Sequence, residues 1–200
     1  MKLMKKQTGM FAGTPVELSQ NYRYGIQRIP KTIELIRTPI IAQVNGAAIG
    51  AGLDLACMCD IRICSQNAKF GETFVKIGLV PGDGGGFFLQ RVIGYSKAME
   101  LSLTGRVIGA EEAMSLGLVS SIAAEVDLSE MVLNLATEIS ANAPVAVALT
   151  KQLVREGYNQ DVLANLNNSA SFQSFAQRTE DHFEGVNSIL NKTPAVFKGL

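Results

Sequence analysis

Apolar residues recur at helical spacing over residues 16–37, with Leu18, Tyr22, Ile26, Ile29, Ile33 and Ile36 near one stripe. The pattern predicts a helix that Pro30 breaks or kinks and that Thr38-Pro39 ends. The polar stretch 8–15 before it reads as a loop. The pattern then changes. Ile40, Ile41, Ala42 and Val44 form a short apolar run, expected to be a strand buried on both faces. Gly50-Ala51-Gly52 opens a helix over 53–58. Strands are expected at 61–64 and 69–71, then helices at 87–93 and 96–103 split by Gly94. A short helix at 111–116, ended by Gly117, leads to a strand at 118–122. From Leu128 onward the pattern is wholly helical: 128–142, a helix opened by Pro144 and reaching Glu156, then 161–176 and 180–190. The order is α/β, with strand–helix units over 1–125 and a helical region over 126–200.

Composition narrows the class. The chain has 200 residues, 47% hydrophobic and 18% charged, which suits a folded domain with a sizeable core. Lys plus Arg and Asp plus Glu both number 18, so the balance gives no electrostatic basis for a nucleic-acid or anionic-membrane partner. Lys2, Lys5 and Lys6 gather near the start, either as a solvated end or as a small anion patch. No apolar run follows them as in a signal peptide, and Gln43, Asn45 and Asp54 interrupt the most hydrophobic stretch. Cys57, Cys59 and Cys64 are odd in number and are expected as reduced core thiols in a cytoplasmic protein. Cys57-x-Cys59 lacks further ligands nearby, and the only histidine, His182, is far along the chain, so no metal is expected.

The candidate chemistry lies in two glycine-rich turns, each expected to open a helix. The first, Asn45 to Asp54, has small residues that let a ligand approach the backbone. Unpaired N–H groups and the positive end of the dipole make a helix start suited to an oxyanion, with Ala51 N–H as candidate donor. The alternative is that these glycines only permit tight strand–helix packing. The second turn, Gly82 to Gly86, carries Asp83, which is either catalytic or a helix cap. Asp54 has the same two readings. The dinucleotide fingerprint fails because Leu55 stands where its third glycine belongs, and no Gly-Lys-Ser/Thr follows either turn. No Ser-His-Asp arrangement is supported.

The runs PIIAQVNGAAIGAGLDLACMCDIRI, FGETFVKIGLVPGDGG and GLVSSI, with the tail FAQRTEDHFEGVNSILNKTPAVFKG, resemble the crotonase family (the enoyl-CoA hydratase/isomerase superfamily) over nearly the whole chain. The resemblance implies a ClpP/crotonase-like spiral of strand–strand–helix units with C-terminal helices that assemble a homotrimer or a dimer of trimers. It implies an acyl-CoA thioester substrate, with no cofactor besides. Two backbone N–H groups would polarise the thioester carbonyl and stabilise an enolate while carboxylates move protons. Ala51 matches one of those donors. Asp54 matches the first catalytic carboxylate, one methylene shorter than the usual Glu. Lys2 matches a lysine near the CoA adenine.

Two departures qualify what the resemblance implies. The segment like FGxPExxLG, which carries the second catalytic Glu, reads here Phe70-Gly-Glu-Thr-Phe74, so the catalytic position holds a phenylalanine. Glu72 lies two residues earlier and would share a face with position 74 only in an extended segment. Asp83 is the other acidic candidate, in a turn where some family hydrolases that cleave carbon–carbon bonds carry an acidic residue. The family's N-terminal strands and the segment that supplies the first oxyanion donor are also expected to be missing. The expectation is thus an enoyl-CoA hydratase/isomerase, with a carbon–carbon bond hydrolase and an inactive truncated subunit as alternatives.

Overall fold

A computed structural model describes residues 11–200; Lys2, Lys5 and Lys6 lie outside the described residues. The chain divides into two compact units. One holds Ile41–Ser129 with the described residues up to Ile36, and the other holds Arg37–Ile40 with Glu130–Leu200.

The first unit opens with two helices. α1 (Pro15–Tyr24) starts at a reciprocal cap: the Thr14 hydroxyl accepts from Glu17 N–H, and Glu17 Oε2 accepts from Thr14 N–H at 2.7 Å. α2 (Arg28–Leu35) follows after a break at Gly25. The single helix expected over 16–37 is therefore two. Pro30 does not cause the break; it lies in the first turn of α2, where its missing N–H has no intrahelical partner to lose.

The strands then run in repeated pairs. β1 (Ile41–Val44) and β2 (Ala47–Ile49) precede α3 (Ala51–Met58). β3 (Ile61–Ser65) and β4 (Lys69–Gly71) precede a 3₁₀ turn at Phe74–Ile77 and α4 (Gly85–Ile93). α5 (Tyr95–Thr104), β5 (Val107–Gly109), α6 (Ala110–Ser115) and β6 (Ser121–Ala123) complete the unit. Two three-stranded sheets result, in the orders β1-β3-β6 and β2-β4-β5. β1 pairs with β3 in parallel, Ile41 opposite Ile61, and β2 pairs with β4 in parallel, Ala47 opposite Lys69. Each pair thus sends its first strand into one sheet and its second into the other, then hands the chain to a helix. This is the strand–strand–helix repeat expected from the resemblance.

Leu53, Phe70, Leu89, Leu101 and Ile108 are fully buried at the centre. Each such side chain contributes about 1.5–3 kcal/mol on removal from water. β1 is not buried on both faces as expected: Gln43 is exposed, and its side chain donates to Ser129 Oγ at 3.0 Å. The sequence pattern does not pick out β2 and β5, although it does pick out β4, which is equally short. The last strand lies at Ser121–Ala123, and Leu118 and Val119, expected within it, are buried in the turn before it. Cys57 and Cys64 are buried, but Cys59 is only half-buried and its thiol donates to Leu55 O at 3.4 Å.

α7 (Leu128–Ser140) begins at the end of the first unit and continues into the second, followed there by α8 (Pro144–Gly157), α9 (Val162–Ala176) and α10 (Glu180–Asn191). The buried Asp181 carboxylate accepts from Lys198 N–H at 2.7 Å and Gly199 N–H at 2.8 Å, fastening the last residues to the start of α10. No single helix among the described residues is long and apolar enough to cross a membrane.

Candidate active site

The two glycine-rich turns open α3 and α4, both capped by glycine. Gly50 has φ 55° and ψ −121°, and Gly84 has φ 126°, conformations that side-chain-bearing residues rarely adopt. Neither helix has a side-chain cap, whereas Thr14, Asp161 and Thr179 cap α1, α9 and α10. The first-turn N–H groups of α3 are therefore not consumed by a capping side chain. Ala51 is the first residue of α3 and is exposed.

Three carboxyl side chains converge behind these turns. Asp54 comes from the first turn of α3, Glu72 from the chain just after β4, and Asp83 from the turn before α4. They are 0%, 1% and 6% exposed. Both oxygens of Asp54, both of Glu72, and Asp83 Oδ1 are buried without a hydrogen-bond partner among the described residues. Neither Asp54 nor Asp83 acts as a helix cap. The groups nearest to them are one another, and two carboxyl groups so placed can bond only when one of them holds a proton.

Gly85 makes this approach sterically feasible. A Cβ there would collide with Asp54 Oδ1, and would lie 2.6 Å from Glu72 Oε1 and 2.7 Å from Asp54 Cγ. The backbone at the start of α4 therefore rests directly against both carboxyl groups. Sequence reasoning missed this residue. The run Gly82 to Gly86 marked a turn, but nothing in it singles out which glycine the carboxyl groups need.

Burial sets the protonation. Loss of hydration pushes Asp54 up to about 10, helped by a hydrogen bond with Asp83 and the charges of Glu72 and Asp83. Loss of hydration also raises Glu72, to about 7; its bond with Asp54 opposes the rise, and the Asp83 charge adds to it. Both carboxyl groups are thus raised together, and the pair retains a proton well above the ordinary carboxylate range. That pairing can both donate and accept a proton. Burial raises the neighbouring Cys57 thiol to about 12, so it stays protonated.

Phe74 does not share a face with Glu72. Thr73 has φ −92° and ψ 6°, and the 3₁₀ turn that follows sends the Phe74 ring to Gly50, 3.4 Å from where a Cβ would stand. Glu72 instead points to Asp54 and Gly85. No group of three or more His, Cys, Asp or Glu among the described residues is placed to hold a metal ion.

The layered strand–strand–helix core is shared with solved enzymes. The chain superposes on an enoyl-CoA hydratase from Bacillus anthracis with a TM-score of 0.89 and 31% identity, covering 94% of this chain and 73% of that one. It also matches a probable enoyl-CoA hydratase/isomerase from Mycobacterium abscessus at a TM-score of 0.86 and 30% identity, covering 94% and 73%. The fold is therefore α/β and of crotonase type. The enoyl-CoA hydratase/isomerase family model matches residues 5–200, and the chain belongs to that family. A short-chain-enoyl-CoA hydratase from Clostridium acetobutylicum is 36% identical over 172 residues, 85% of this chain and 66% of that protein. A crotonyl-CoA hydratase from Syntrophomonas wolfei is 37% identical, over 86% of this chain and 66% of that one. The chain spans about two thirds of the length of these curated relatives.

Proposed function

We propose that this chain transforms acyl-CoA thioesters by enolate chemistry, as an enoyl-CoA hydratase/isomerase without a cofactor of its own. The observation that carries the reading is the convergence of Asp54, Glu72 and Asp83, buried and with no counter-ion among the described residues, beside the uncapped start of α3. Ala51 N–H polarises the thioester carbonyl and holds the negative charge that develops on its oxygen. That polarisation acidifies the α-carbon. Asp54 moves the proton there, and Glu72 or Asp83 serves as its acid/base partner. In hydration, water gives its hydroxyl to the β-carbon and a proton reaches the α-carbon. Phe74 supplies no proton at the position where hydratases carry a second Glu, so this second role falls on the cluster. Lys2 is proposed as a contact to the CoA adenine, and the working assembly as a homotrimer or a dimer of trimers.

The test follows crotonyl-CoA hydration and double-bond migration in a β,γ-unsaturated acyl-CoA, using the full chain. Turnover of either thioester supports the reading, and turnover of neither counts against it. A second reading is hydrolysis of a diketone carbon–carbon bond through the same enolate, favoured by the burial of Asp83 within the cluster. Release of a carboxylic acid from a diketone would establish it.

A further inference from the structure

The turn that carries Asp83 is gripped from outside the strand–helix repeats. Gln27, at the start of α2, donates from Nε2 to Gly82 O at 2.8 Å, across 55 residues of sequence. The Tyr22 ring of α1 lies against the same residue: a Cβ on Gly82 would stand 2.5 Å from Tyr22 Cε1 and 3.0 Å from Cδ1. Both side chains are half-buried. One fixes the carbonyl of Gly82 and the other lies against its α-carbon, so the peptide leading into Asp83 is held on two sides. At the other end of Asp83, Gly84 caps α4, and its carbonyl accepts from Phe87 N–H at 2.9 Å and Phe88 N–H at 3.0 Å. The turn is thus held at Gly84 by α4 and at Gly82 by α1 and α2.

We infer that Gln27 and Tyr22 are positioning residues that act through the Gly82-Asp83-Gly84 turn to keep the Asp83 carboxyl within the Asp54–Glu72 cluster. This rests on the reading of that cluster as the proton-transfer site. Neither residue touches the reacting atoms. Their effect passes to Asp54, whose raised pKa draws on both a hydrogen bond with Asp83 and the Asp83 charge. The other groups acting on that environment are Glu72 beyond β4 and Cys57 in α3; Arg62 of β3 acts on Cys57 and donates to backbone carbonyls of Ala56, Cys59 and Leu118. Neither variant below alters any of these.

The experiment is a carboxyl titration of the full chain carrying isotope-labelled aspartate, followed by NMR, in the parent, Gln27→Met and Tyr22→Ala. Gln27→Met keeps the side-chain length and removes the donor. The expected result is a fall in the Asp54 midpoint of about one pH unit or more in each variant, the size expected when a close like charge is withdrawn. Where the parent turns over an acyl-CoA thioester, kcat should fall by roughly ten- to a hundred-fold, as for a misplaced catalytic group, with KM changing far less. A folded Gln27→Met protein and a folded Tyr22→Ala protein that both keep the parental Asp54 midpoint would overturn the inference. The titration reads the positioning role without turnover, so a parent inactive on thioesters would defeat the proposed function and leave this test intact.

Discussion

Asp54 has two measurable consequences in one side chain. If it is the proton carrier, Asp54→Asn keeps the shape and removes the proton, so acyl-CoA turnover should fall by at least about 10²-fold, the low end for a general acid/base. Turnover within a few-fold of the parent would move the role to Asp83 or Glu72. The second consequence is in stability. Burial raises the folded-state pKa of Asp54 from 3.8 to about 10 and that of Glu72 from 4.5 to about 7. Between those limits the folded protein holds protons that the unfolded chain has released. Stability should therefore be greatest at the acid end of the window and decline as pH rises through it. Urea unfolding at a series of pH values should show that decline in the parent and a shallower one in Asp54→Asn. Phe74 gives a separate test at the same scale. Its ring lies against Gly50, so Phe74→Glu brings a carboxylate to the first turn and should raise crotonyl-CoA hydration.

At the scale of elements, the site depends on how closely the start of α4 approaches α3 and the end of β4. Gly85 is the contact point. Gly85→Ala forces a methyl group into the Asp54 and Glu72 carboxyl groups, and should cost about 1–3 kcal/mol by overpacking. Chemical denaturation measures the cost, and the same variant should lose turnover because both carboxyl groups are displaced. The helices at the site were legible from the glycine-rich turns that open them. The strands β2 and β5 were not, although β4 is equally short and was; Ala47–Ile49 lies inside the glycine-rich run that reads as a turn. Pro30 misled for a definite reason: proline breaks a helix interior, yet the first turn accommodates it, and the break had already occurred at Gly25.

At the scale of the whole molecule, the prediction is self-assembly. Phe175, Phe183 and Ile189 on α9 and α10 are 63%, 54% and 79% exposed in the single chain, a large apolar surface to leave in water. Sizing with light scattering should find a trimer or a multiple of it, and Phe183→Asp should shift the population toward monomer. A clean monomer of the parent at micromolar concentration would count against the assembly.

The sequence by itself determined the α/β class, the order of the helices and of four of the six strands, and the family. Hydrophobic period and the glycine turns are local features written directly in the chain. It also named all three carboxyl groups, Asp54 and Asp83 from the glycine-rich turns that carry them and Glu72 from the family resemblance. It did not determine that they meet. Asp54, Glu72 and Asp83 lie on three separate segments. Only the passage of consecutive strands into two different sheets brings those segments together. The same holds for the direction of Glu72, which depended on a 3₁₀ turn replacing extended chain after β4. It holds as well for the grip of Gln27 on Gly82, formed across 55 residues. Local pattern fixes what each segment is, and long-range packing decides which side chains share a dry interior and therefore which of them hold a proton.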